Sequence, residues 1–77
     1  MPTVVKKDGF RVVIYPNDHE PAHVHIHKSG SEIKVDALTL TLMSAKGSLS
    51  KKDIRKAIKI VEENQVVILE KWGELHG

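Results

Sequence analysis

The chain contains no cysteine. That excludes disulfide bridges and thiolate metal sites, and it argues against a small secreted scaffold held by staples. No apolar run approaches the roughly 18 residues of a spanning helix, and no signal-peptide pattern is present, so a cytoplasmic protein with no membrane partner is expected. Aromatic residues are scarce, with one Phe, one Tyr and one Trp. Three rings are too few for a platform that stacks successive nucleic-acid bases. Glycine-rich phosphate loops and the HExxH metalloprotease motif are absent, and no Ser-His-Asp arrangement stands out. Net charge is only +2, which does not by itself mark a nucleic-acid binder. With 77 residues the chain is one domain, residues 1–77. A domain of this size buries only about 60% of its unfolded surface, so a partner chain or a homo-oligomer is a natural source of further stability.

Against this sparse background one stretch is dense. Asp18-His19-Glu20-Pro21-Ala22-His23-Val24-His25-Ile26-His27 holds four of the five histidines. A strand alternates its faces, so His23, His25 and His27 project from one side and Val24 and Ile26 from the other. Imidazoles on one face then stand about 7 Å apart along the strand. Pro21 donates no ladder hydrogen bond and belongs before the strand or at its start. Solvated histidines are the plain alternative, but a run of alternating ones is unusual, and imidazole can serve as acid, base, metal ligand or anion partner near neutral pH.

The surrounding pattern predicts an α+β fold, with a small antiparallel sheet of three to five strands over about residues 3–43. A long amphipathic helix over about 51–75 packs on one face. Thr3 to Lys6 and Gly9 to Tyr15 are strands around an Asp8-Gly9 hairpin turn. Phe10, Val12 and Ile14 face the core, and Arg11, Val13 and Tyr15 face outward. The histidine strand covers about 22–28, and Glu32 to Asp36 pairs back after Ser29-Gly30. Ile33 and Val35 then differ in parity from Leu38, Leu40 and Leu42, so a bulge or break is needed near Asp36-Ala37. Leu38 to Met43 reads as an edge strand or extended segment, and Ser44 to Leu49 as a loop. Ser50 with Asp53 resembles a capping box. Ile54, Ile58, Val61, Gln65, Ile68, Trp72 and Leu75 form one helical stripe, widened by Ala57 and Leu69, with a weak point or kink at Asn64-Gln65. The basic first half of the helix, with Lys52, Arg55 and Lys59, could contact phosphates and would do so with steep salt dependence.

Two chemistries suit the histidine strand. His23 and His25 could act as general base and acid in RNA cleavage without a metal or other cofactor, with Arg11, Tyr15, Lys28 and Lys34 as candidate substrate or anion contacts. Alternatively, His23 and His25 are two ligands of one zinc, iron or nickel ion, and His19, Glu20 or Asp18 from the loop completes the set with positions left open. On the helix, Ile68, Trp72 and Leu75 are candidate partner-interface residues, with Trp72 anchoring the last turns to the sheet or to a partner.

His23-Val24-His25-Ile26-His27 resembles the first five positions of the histidine-triad nucleotide hydrolase motif, but Lys28 and Ser29 stand where that motif has apolar residues. A resemblance over almost the whole chain is to the small prokaryotic family called domain of unknown function 4160. It rests on Gly9-Phe10 to Tyr15, on Asn17-Asp18-His19-Glu20-Pro21-Ala22-His23-Val24-His25-Ile26, and on the helix from Ile54 through Val61-Glu62-Glu63-Asn64 to Trp72. Ala22 replaces a second proline of the family pattern, and His27 extends the histidine row. The resemblance implies a small α+β protein acting with a cognate small protein encoded nearby, in a toxin–antitoxin-like pair. It supplies no mechanism.

Overall fold

In the computed structural model, which describes residues 3–76, five strands precede two helices. The strands are β1 (Thr3–Lys7), β2 (Phe10–Val13), β3 (His23–Lys28), β4 (Ser31–Asp36) and β5 (Leu42–Lys46). The helices are α1 (Lys51–Glu63) and α2 (Gln65–His76). All strands pair antiparallel with their neighbours in sequence, in the order β1-β2-β3-β4-β5. Among the described residues, no helix is long and apolar enough to cross a membrane.

Alternation sorts the side chains as the sequence predicts. Phe10, Val12, Ile14, Val24, Ile26, Ile33 and Val35 are buried together with Ala57, Val61, Ile68 and Trp72 from the helices. The first hairpin turns through Asp8 and Gly9, both at positive φ, as a two-residue loop matched to strand twist requires. The Ser29-Gly30 turn sets the second hairpin, which puts His25 opposite Lys34 and His27 opposite Glu32. The histidines therefore lie on the sheet face opposite Val24 and Ile26.

Several details differ from expectation. Val13, expected to face outward, is fully buried. It pairs with His25, on the face to which the loop after Tyr15 returns. On α1 the buried positions are Ala57, Ile60 and Val61, while Ile54 and Ile58 are only half-buried, so the helix is rotated slightly from the predicted stripe. The parity slip is absorbed by a turn. Asp36 Oδ1 accepts the N–H groups of Leu38 and Thr39 at 2.8 Å each, and Leu40 takes a positive φ of 64°. The edge strand consequently starts at Leu42, not Leu38, and runs to Lys46, into the segment expected to be loop.

The helical half divides at its weak point. Ser50 caps α1 by accepting the Asp53 N–H at 3.0 Å. Asn64 ends it, donating from its side chain to the Ile60 carbonyl at 2.8 Å. Gln65, the polar member of the apolar stripe, donates to the Ala37 and Leu38 carbonyls at 2.9 and 3.0 Å. It thereby satisfies the turn that follows β4.

Gly47 joins β5 to the helices at φ 103°, and a Cβ there would run into the Ser31 side chain and backbone. Ser31 is buried, and its hydroxyl accepts the Ser48 N–H at 3.1 Å. Gly47→Ala is therefore expected to cost about 1–3 kcal/mol. Urea denaturation checks this; a midpoint equal to that of the parent would show that the segment relaxes freely.

Candidate functional site

The site begins with a turn. Tyr15-Pro16-Asn17-Asp18 places proline second, the position its fixed φ favours, and the Asp18 N–H donates to the Tyr15 carbonyl at 3.0 Å. Asp18 Oδ2 accepts the Tyr15 N–H at 3.1 Å. That bond fixes the carboxylate and turns Oδ1 toward the histidine face. There Oδ1 lies 3.2 Å from His25 Nε2 and 3.5 Å from His23 Nε2.

Both imidazoles are held from behind. His23 Nδ1 bonds the Pro21 carbonyl at 2.8 Å, which makes it the donor. His25 Nδ1 bonds Glu32 Oε2 at 2.9 Å. Each ring thus offers Nε2 to the same spot. Tyr15 meets the His25 ring edge-on at 4.8 Å between centroids, and the two histidine rings are 5.1 Å apart. Side-chain exposure is only 7% for His23 and 12% for His25. The pair is more enclosed than the open strand face that alternation alone suggests.

The ligand atoms of Asp18, His23 and His25 all lie within 4.8 Å of one another. A tetrahedral ion with bonds of 2.0–2.2 Å separates its ligand atoms by roughly 3.4 Å. The two Asp18–histidine distances already match that spacing.

The carboxylates are tuned toward the ionised form. For Asp18, burial pushes the pKa up, but the Tyr15 N–H, the hydrogen bond from His25 and the nearby histidine charges outweigh it, so the value falls below the ordinary one. The His25 hydrogen bond is the main cause that lowers Glu32, against a smaller desolvation penalty. The Thr39 N–H is the main cause that lowers Asp36. Groups with depressed folded values stabilise the fold above the unfolded carboxylate pKa, near 4, and that stability is lost as pH falls through the folded values. The melting temperature of the metal-free protein should therefore drop steadily below about pH 4. A flat profile between about pH 5 and 2.5 would show that these bonds contribute little.

The other predicted residues are dispersed. His19 and Glu20 line the cavity beside Asp18, but among the described residues the tight group of potential ligand atoms is Asp18, His23 and His25. Glu20 Oε1 instead accepts the Trp72 indole N–H at 3.3 Å. The Tyr15 hydroxyl meets His27 Nε2 at 3.2 Å. Arg11 sits opposite His27, toward the β1–β2 hairpin. Lys34 is the cation beside the site, directly across from His25. Lys28 does not join it: on the parity of Val24 and Ile26, it reaches α1, 3.4 Å from Asp53, with its ammonium over the Phe10 ring. Trp72 and Ile68 are buried in the chain's own core, and Leu75 is half-buried against it. The exposed apolar residues of α2 are Val66 and Val67. Glu32 was not singled out in the sequence, although the Ser29-Gly30 register already places it diagonal to His25.

The model of the DUF4160 family, a domain of unknown function, matches residues 9–73. The chain belongs to this family. All the residues around the histidine pair, from Tyr15 to Lys34, and Trp72 beyond them, lie inside the matched span. Comparison with curated proteins and with solved structures finds no match.

Proposed function

We propose that this DUF4160 domain is a metal-binding module in which Asp18, His23 and His25 hold one divalent ion, with the remaining positions open to water or substrate. One observation carries the reading: each of the three ligands has its other polar atom held by a separate group. Oδ2 of Asp18 takes a backbone N–H, Nδ1 of His23 a backbone carbonyl, and Nδ1 of His25 a carboxylate. Such outer contacts fix the tautomer and orientation of metal-ligating imidazoles and raise their basicity. Two imidazoles and a carboxylate suit zinc, iron or nickel, and an open position lets the ion polarise a bound oxygen or activate water. Elemental analysis of untagged protein tests the reading. About one transition-metal ion per chain is expected, and its absence after incubation with zinc, iron and nickel would end it.

A partner protein is compatible with this site, and a second observation favours one. Leu38, Val66 and Val67 are exposed at 68%, 73% and 45%, and Gln65 ties the Leu38 turn to the start of α2. A toxin–antitoxin-like pair would cover such side chains with its cognate small protein. In that setting His23 and His25 could also work as a metal-independent acid–base pair on RNA. Induced expression should then arrest growth, relieved by the neighbouring gene. Harmless expression, with no neighbour product co-purifying, removes the pair.

A further inference from the structure

We infer that the exposed face of the first half of α1 binds the phosphate backbone of duplex DNA, independently of the metal centre. Residues 51–59 carry five bases, Lys51, Lys52, Arg55, Lys56 and Lys59, against one acid, Asp53. All five bases are exposed. They stand at the positive end of the helix macrodipole, where acids are the favoured residues. This placement works against the helix, and a bound polyanion relieves it.

Neighbouring carboxylates do not cancel the charge. Asp8, Asp53 and Glu63 each face one lysine, at 3.3 Å from Lys56, 3.4 Å from Lys28 and 3.5 Å from Lys7. Those pairs balance. Lys51, Lys52, Arg55 and Lys59 remain, with Glu62 as the one further acid of α1. The surplus is three positive charges, more than the +2 of the whole chain, so the rest of the molecule is net acidic. Lys52, Arg55 and Lys59 follow one another at three- and four-residue steps. They therefore share one side of the helix over about 10 Å.

What this surface lacks selects its partner. Among the described residues, the exposed large apolar side chains are Leu38, Leu42, Met43, Val66 and Val67, and none is on α1. The buried residues of α1 face the chain's own core. A helix that lies on a membrane needs an apolar face to insert, and the centre of a protein interface is depleted of lysine. No aromatic residue belongs to α1. Phe10 and Trp72 are buried, and Tyr15 packs on His25. Single strands are held by stacking on such rings, whereas a duplex is held through its phosphates alone. The major groove of B-form DNA admits an α-helix, while that of duplex RNA is deep and narrow. Duplex DNA is the polyanion that fits.

The test uses the full chain with a chelator present, so that no ion bridges protein and phosphate. A labelled DNA duplex of mixed sequence is titrated and read by fluorescence anisotropy. Binding is expected at low salt. Affinity should fall roughly 100-fold between 50 and 200 mM sodium chloride, as about four phosphate contacts require. Arg55→Gln should lower the slope of log affinity against log salt by about 1, and Lys52→Gln/Arg55→Gln/Lys59→Gln by about 3. Lys71→Gln removes the same charge as Arg55→Gln, but from α2, and should leave the slope unchanged. Circular dichroism confirms that the variants are folded; if the triple variant is not, Arg55→Gln and Lys59→Gln carry the comparison singly. Absence of binding at 50 mM salt, a slope unchanged by Arg55→Gln, or an equal loss in Lys71→Gln overturns the inference. So does equal affinity for an RNA duplex, a single strand or phosphatidylserine vesicles. Each of these outcomes leaves the metal reading standing.

Discussion

Trp72→Ala is expected to remove about 3–5 kcal/mol of folding free energy. Domains are typically stable by only about 5–15 kcal/mol, and one this small sits at the low end. The side chain has three attachments to lose. It belongs to the core, 6% exposed; its indole N–H bonds Glu20; and its ring is stacked with His76 at 3.8 Å. It also lies 5.4 Å from the His23 ring, so the same residue joins the end of α2 to the loop and strand that hold the site. Urea unfolding followed by circular dichroism should show a largely unfolded variant, or one with a much lower midpoint. Trp72→Phe, which keeps a ring and loses the N–H, should lie between. If Trp72→Ala unfolds at the parent's midpoint, α2 beyond Ile68 does not contribute to the fold.

The second large effect falls on metal affinity. His25→Gln and His23→Gln should each weaken zinc by more than about 100-fold, because each removes one of three protein ligands. Glu32→Gln, which leaves the ligands and loosens the hold on His25, should weaken it by about 10- to 100-fold. This order separates direct ligation from orientation. The affinity of the parent should also fall on acidification, since a ligating histidine must be neutral and protons compete with the ion. Calorimetric titration of the folded variants provides the measurement. Histidine variants that bind zinc as tightly as the parent would place the ion elsewhere.

Much of this arrangement was legible because burial enforces it. Val24 and Ile26 alternate with the histidines, and a register error would move them out of the core. Asp8-Gly9 and Ser29-Gly30 define their turns by backbone chemistry, and the second fixes the partners of His25 and His27. The C-terminal period locates the helices, and Asn64 marks their boundary. What was misjudged lies where no such pressure acts. β5 is exposed along its whole length, so apolar periodicity does not set its bounds, and Leu38 to Leu42 misled by composition. Within the site, the acid that joins the histidine pair depends on loop geometry. Asp18, His19 and Glu20 are adjacent in sequence, and only the reciprocal bonds between Tyr15 and Asp18 select the first of them. Enclosure of His23 likewise came from elements distant in the chain, since Trp72 approaches it from α2.

The central claim is that one ion sits between Asp18, His23 and His25. A crystal structure of zinc-loaded protein, with anomalous diffraction locating the ion, tests it most directly. The predicted result is a single peak about 2.0–2.2 Å from Asp18 Oδ1, His23 Nε2 and His25 Nε2, with at least one further position filled by solvent or anion. A structure in which these three atoms keep their direct contacts, and zinc is absent or bound only at His19, His27 or His76, would contradict it.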